Sequence, residues 1–387
     1  MFIHKDMIQL ISMIKDKSTA SLQDHQAILK AATQHHVIGL IQHSLSTHSS
    51  LHIEFINQLK KKHQANLVRT LMQLTCLLKL YKLAAIHQLR MLCIKGVILS
   101  YQLYDDIGIR TSNDIDIMVS NTDILKIDAI LEQLGFKGQY NLKAMKQKKL
   151  QKVLSVVNEM TYYNPETQIV IDVHYQLMHS HIRFYSFEEL WEKRQLIKLP
   201  NGESVYTLSK EHMWIYLCVH GSSHGFQRLQ WLLDIVNYQR KFIENTMSDS
   251  IYSIVKKYEI THYYTLALLF IDVYDKKKIT INPLYFLYVC KCMQKGVIRS
   301  PFFSSVLIRI HYFLMADSHL NRLKLVHQLA WQKFILCHIK TGLPLALFPF
   351  YFMYFYFFRI PGLFFSDLIK KVFFYIAFQI KVKWKDI

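Results

Sequence analysis

Apolar residues recur at helical spacing from Leu22 to Gln42 and from Ile53 to Leu89, and the intervening positions are rich in Lys, Gln and His. That pattern predicts amphipathic helices, with a break at Thr47–Leu51. The rhythm then changes. Arg90–Ile94 is short and apolar, Lys95-Gly96 reads as a tight turn, and Val97–Leu103 returns to helical spacing. Asp105–Asn113 is polar, contains Gly108 and reads as a loop. Asp114-Ile115-Asp116-Ile117-Met118-Val119 starts as a polar–apolar alternation and ends apolar, as a strand does.

Downstream, Asn121 is placed to cap a helix from Thr122 to Leu134, closed by Gly135. Val153–Tyr163 and Gln168–Gln176 flank Asn164-Pro165-Glu166-Thr167, which predicts a hairpin. A second hairpin is predicted from Ile197–Leu199 and Val205–Tyr206, turning at Pro200-Asn201-Gly202. Ser209 would cap a helix running into His220. Residues 250–340 read as helical, with breaks at Asn282-Pro283 and Ser300-Pro301. The fold class expected is therefore α+β, a small mixed sheet embedded in a mostly helical protein. The expected divisions are a helical lobe at 1–89, an α/β core at 90–208, a helical domain at 209–340 and an aromatic, basic tail at 341–387.

Composition supports that reading. Of 387 residues only 11 are Gly and 7 are Pro, which leaves few turns and favours helices. The formal net charge is +19, which suits polyanionic partners such as nucleoside triphosphates, nucleic acid or anionic lipid without choosing among them. Six cysteines, none in a C-x-x-C pair, read as reduced thiols in a reducing, cytoplasmic setting. The N-terminus lacks the unbroken apolar run of a secretory signal. From Leu343 the segment LPLALFPFYFMYFYFF carries no charge, and a second aromatic run, Val372–Phe378, is flanked by lysines. It reads equally as a peripheral membrane segment on the inner face or as a buried helix pair.

The chemistry concentrates in two acidic strands. On a strand, Asp114 and Asp116 share one face while Ile115 and Ile117 share the other. Two carboxylates about 7 Å apart along a strand repel each other unless a cation lies between them. Mg²⁺ prefers a few carboxylates plus substrate phosphate oxygens. A third acid, Asp172, stands in Ile169-Val170-Ile171-Asp172-Val173-His174 and would complete a triad if its strand lay beside the first. His220 and His224, four apart, would share a helical face if the helix continues through Gly221. Packing, nucleotide contacts or a zinc half-site are the readings for that pair. Arg228 and Asp234 would pair with one another or face the cleft, and Trp231, Leu232 and Ile235 read as core. Lys143, Lys146, Lys148, Lys149 and Lys152 form a solvated face or an anion-facing patch.

The blocks Ile94-Lys95-Gly96, Leu103-Tyr104, Arg110-Thr111-Ser112-Asn113-Asp114-Ile115-Asp116-Ile117-Met118-Val119 and Ile171-Asp172-Val173-His174, followed by Val219–His224 and Arg228–Asp234, resemble a bacterial family of uncharacterised nucleotidyltransferases with a Lys-Gly turn, within the DNA polymerase β-type superfamily. The likeness spans roughly residues 25–310. It implies that residues 90–208 form a nucleotidyltransferase core that moves a nucleoside monophosphate from a triphosphate to an acceptor the sequence does not name. It also implies that Asp114, Asp116 and Asp172 hold two Mg²⁺ ions, with Mn²⁺ as the alternative. Lys95, Gly96, Arg110 and Ser112 would then meet the phosphates, with His220, His224 and Arg228 as further nucleotide contacts. The wider superfamily carries Gly-Ser or Gly-Gly where this chain has Lys95-Gly96. A nucleotide-binding scaffold without turnover, or a membrane-docked accessory of glycan or peptide modification, are the alternatives.

Overall fold

The computed structural model describes residues 5–15, 24–45, 53–155, 157–178 and 184–275, with single positions at 182, 331, 335 and 349. The Thr47–Leu51 break, the prolines at 283 and 301 and the aromatic tail from 341 lie outside the described residues. The fold is α+β. Four helices come first: α1 Lys5–Lys15, α2 His25–Gln34, α3 Ile38–Leu45 and α4 Ile53–Ile86. The centre of the chain runs β1 Met91–Cys93, α5 Gly96–Tyr104, β2 Ile115–Val119, α6 Ile124–Gln133, β3 Lys137–Gly138, α7 Gln147–Leu154, β4 Glu159–Tyr163, β5 Val170–His174, α8 Phe187–Glu192, β6 Gln195–Lys198 and β7 Ser204–Thr207. Helices α9 Lys210–Ser223, α10 Leu229–Phe242, α11 Asp249–Lys257 and α12 Thr261–Tyr274 follow.

The seven strands form one mixed sheet in the order β3-β4-β5-β2-β1-β7-β6. The two hairpins, β4–β5 and β6–β7, are antiparallel. The central pair β2–β5 is parallel, with Asp116 opposite Asp172 and Met118 opposite His174. Because paired residues on neighbouring strands share a face, this register sets both acids on one side of the sheet.

Several boundaries differ from the pattern-based reading, each for a local reason. The run Leu22–Gln42 is two helices, not one. His36 takes a left-handed backbone (φ 60) between α2 and α3, and the corner is closed by Val37 N–H donating to the Ala32 carbonyl, 2.9 Å. Asn121 does not cap α6: it lies in a 3-10 turn over Asn121–Asp123 that Ser120 caps, and Asp123 stands at the α6 N-cap without a side-chain bond. Val153 belongs to α7, so the first hairpin strand starts only at Glu159. The α9 cap is Ser209 as expected, accepting from the His212 N–H.

The sheet lies between two helical layers. Its apolar face carries Ile115, Ile117, Ile171 and Val173, which pack with Leu77, Leu80 and Ala84 of α4 and with Ile127 and Leu131 of α6. The opposite face contributes Leu92, Ile94 and Met118 to a larger core built with α2, α3, α9, α10 and α12. Burying those aliphatic side chains, each worth roughly 1.5–3 kcal/mol, pins the strand register, since a one-residue slip would turn Asp116 and Asp172 into the apolar layer. The N-terminal helices do more than cover the sheet. His35 accepts at Nδ1 from the Leu229 N–H (3.2 Å), and its carbonyl accepts from the Gln230 N–H, 3.2 Å. The α2–α3 corner thereby holds the start of α10.

Candidate active site

The polar face of the sheet opens into a cleft of about 220 Å³. Its floor carries Asp114, Asp116 and Asp172. Its walls include Lys95 and Arg110 from the centre of the chain, Tyr216 and His220 from α9, Arg228 and Trp231 at the start of α10, and His36 from the α2–α3 corner. Four regions far apart in sequence thus meet at one place.

The turn before α5 explains how Lys95 arrives there. Gly96 has φ +65, a backbone region that costs an L-residue about 1–2 kcal/mol. A Cβ at Gly96 would meet Ser112 Oγ and the Asp114 carbonyl, each 3.5 Å away. The glycine bends the chain so that Lys95 enters the site. The Lys95 Nζ then lies 3.0 Å from Asp116 Oδ1. Ser112 Oγ donates to the Asp114 carbonyl (2.8 Å) and lies 3.3 Å from Asp114 Oδ1, which ties the loop to the first acid.

The three carboxylates differ sharply in their surroundings. Asp116 is buried, and its Oδ1 also meets His174 Nε2 at 3.1 Å. Burial alone would push this carboxyl up, but Lys95 and His174 outweigh it and hold it well below the usual range. On His174, burial would lower the imidazole; the hydrogen bond to Asp116 and the charge of Glu159 outweigh it and raise it. His174 Nδ1 is 3.2 Å from Glu159 Oε2 but off the hydrogen-bonding direction, so that contact is electrostatic. Asp172 accepts one hydrogen bond, from Thr161 Oγ1 at 2.7 Å. Burial first, then the neighbouring carboxylates Glu159, Asp116 and Asp114, lift it to about 6 against the Thr161 hydrogen bond. Asp114 is raised by burial and by Asp116. Neither Asp114 nor Asp172 makes an ion pair among the described residues.

Arg110 stands apart from the expected phosphate contacts. Its Nε lies 3.0 Å from Asp234 Oδ1 and its Nη2 2.9 Å from Asp234 Oδ2, with both side chains almost wholly buried. Burial works against the guanidinium charge and the carboxylate outweighs it. Asp234 therefore pairs with Arg110, not with Arg228. Arg228 makes no ion pair among the described residues; it lies over the Trp231 ring at 5.1 Å, and burial lowers its pKa. A half-buried guanidinium without a carboxylate is an opening for an anion.

Helix α9 does continue through Gly221, where the Phe226 ring packs so closely that a Cβ would come within 2.4 Å of it. His220 and His224 face each other with ring centroids 4.8 Å apart, and both contact Trp231. Burial, then Lys95, holds His220 neutral, well below the usual histidine range. Leu232 and Ile235 are core, whereas Trp231 is only half-buried and lines the cleft, contrary to the expectation from its spacing. His174, Glu159, Tyr216 and His36 join the site without having been singled out. The alternation Glu159–Thr161 and Asp172–His174 puts these side chains on one face, but only the β4–β5 register brings Glu159 opposite His174.

The donor set suits a hard cation. Its carboxylate oxygens are of the hard donor type, and among the described residues no three His, Cys, Asp or Glu side chains form a ready chelate. No helix among the described residues is long and apolar enough to cross a membrane. No curated protein matches the chain. The model of a family described as uncharacterised nucleotidyltransferase matches residues 21–274, a span that includes every cleft residue named above, and the chain belongs to that family.

Proposed function

We propose that this chain transfers a nucleoside monophosphate from a nucleoside triphosphate to a hydroxyl or phosphate acceptor. One observation carries this beyond the family's general activity: two half-buried carboxylates, Asp114 and Asp172, share a cleft with the guanidinium of Arg228, and none of the three makes an ion pair among the described residues. A triphosphate with its divalent cation supplies both missing charges. Asp114 and Asp172 are the oxygens that would hold Mg²⁺ or Mn²⁺, and the bound ion would neutralise triphosphate charge and stabilise charge developing in the displacement.

The protein's own groups do the rest. Arg228 neutralises phosphate oxygens. Asp172, on the cleft floor, is the carboxylate that takes the acceptor's proton. The acceptor oxygen bonds to the α-phosphorus, the bond from that phosphorus to the bridging oxygen breaks, and pyrophosphate leaves with the electron pair. His220 and Trp231 wall the cleft and exclude water from it.

The test is incubation of the purified chain with Mg²⁺, each labelled triphosphate and a panel of acceptors. Label should move to an acceptor, and Asp116→Asn or Asp172→Asn should abolish the movement. Nucleotide binding without transfer under every condition, unchanged in those variants, would leave a binding scaffold instead.

A further inference from the structure

The floor of the cleft carries three acids, and two of the chain's own side chains, an ammonium and an imidazole, already meet one of them. Asp116 Oδ1 accepts from Lys95 Nζ at 3.0 Å and meets His174 Nε2 at 3.1 Å. All three side chains are largely buried, with 15% of Lys95, 3% of Asp116 and 5% of His174 exposed. A carboxylate shared between two divalent ions must offer an oxygen to each. In Asp116 one oxygen is doubly occupied by groups that the fold holds in place. Lys95 is set there by the left-handed turn at Gly96, and His174 by the β2–β5 register. Asp114 and Asp172 carry no such partner.

We propose that the Lys95 ammonium takes the place of one of two divalent ions, so that this chain binds a single ion through Asp114 and Asp172 while Lys95 on Asp116 supplies the second positive charge. This rests on the nucleotidyl-transfer reading above. The physical reason is charge balance. Three carboxylates and a triphosphate need more positive charge than one ion and Arg228 carry, and a buried ammonium is a permanent contribution that needs no metal. An ammonium at hydrogen-bond distance also repels a second cation approaching the same carboxylate: two unit charges 4 Å apart interact by about 4 kcal/mol at an effective dielectric constant of 20. The Lys-Gly turn thereby sets metal stoichiometry as well as backbone direction.

The test counts ions, not turnover. Full-length protein is titrated with Mn²⁺ alone, and the free-ion electron paramagnetic resonance signal reports the number bound. The expected result is one Mn²⁺ per chain in the wild type, lost in Asp172→Asn, retained at one in Lys95→Arg, and raised to two in Lys95→Met. Asp116→Asn should keep one site with affinity within about threefold, because Asp116 is not a ligand; it also serves if Lys95→Met does not fold. Two ions in the wild type, one ion in folded Lys95→Met, or loss of the site in Asp116→Asn would overturn the inference and leave nucleotidyl transfer standing. Binding that ignores Asp114 and Asp172 altogether would overturn the transfer reading with it.

Discussion

Two acidic sites of this protein, Asp234 buried behind the cleft and Asp114 with Asp172 half-buried on its floor, have been treated in opposite ways. Asp234 is closed: the Arg110 guanidinium meets both its oxygens, and neither side chain is more than 5% exposed. Asp114 and Asp172 are open: each has one hydroxyl neighbour, Ser112 or Thr161, and neither makes an ion pair among the described residues. The first arrangement is structural, since it fastens the loop before β2 to α10, the helix that also carries Trp231. The second is unfavourable as it stands, with both carboxylates raised by burial and by neighbouring acids, Asp116 beside Asp114 and chiefly Glu159 beside Asp172. A fold keeps such a pair where a ligand completes it. Asp116 lies between the extremes, saturated by Lys95 and His174 yet facing the cleft. The difference separates an acid paired within the fold from acids that the proposed reading assigns to a bound cation.

Breaking the closed site should cost most. Arg110→Ala leaves Asp234 as a buried, unpaired charge and should lower the unfolding free energy by about 3–5 kcal/mol, measured by urea denaturation. Arg110→Met with Asp234→Leu should recover most of that loss. Opening the comparison from the other side, Asp172→Asn should reduce nucleotide transfer by at least about 100-fold while leaving stability at neutral pH equal or higher, because it removes an unfavourable charge. Gly96→Ala should cost about 1–2 kcal/mol from its positive φ alone, since the space beside it is ordinary van der Waals contact. The same variant should shift Lys95 off Asp116. Arg228→Ala should weaken triphosphate binding by about tenfold, with a stability change within about 1 kcal/mol because no carboxylate is orphaned.

Asp172 also sets a pH dependence. The Asp172 carboxyl is raised from an ordinary value of 3.8 to about 6, so the folded state holds its proton more tightly than the unfolded chain does. Its contribution to stability is therefore full below about pH 3.8 and is lost as pH rises through about 6. Wild-type protein should lose stability relative to Asp172→Asn across that window and run parallel to it above. A divalent cation should move the upper edge of the window down by favouring the ionised form.

Much of this was legible along the chain. The alternation in Ile115–Val119 and Val170–His174 placed Asp116 and Asp172 on the face opposite their apolar neighbours, as the burial of Ile115, Ile117, Ile171 and Val173 bears out, while Asp114 lies in the bend just before the strand. The Gly96 turn, the Ser209 cap and the two hairpins follow from local stereochemistry, which acts within a few residues and leaves its mark in residue type. The corner at His36 left no such mark, because a histidine holds there a conformation usually given to glycine, and its support comes from Leu229 and Gln230, far along the chain.

Sequence by itself determined the α+β class, the faces of the acidic strands and the membership of Lys95, Asp114, Asp116 and Asp172 in one family-like set of blocks, because periodicity and turn chemistry are local properties. Only the tertiary structure decided which charge neutralises which. Arg110 and Lys95 both looked equally available to a phosphate, and both proved to be held by carboxylates, one from α10 and one from β2. Ion pairing depends on which side chains are buried within a few ångströms of each other, and that distance is a property of packing, with no trace in the spacing of residues along the chain.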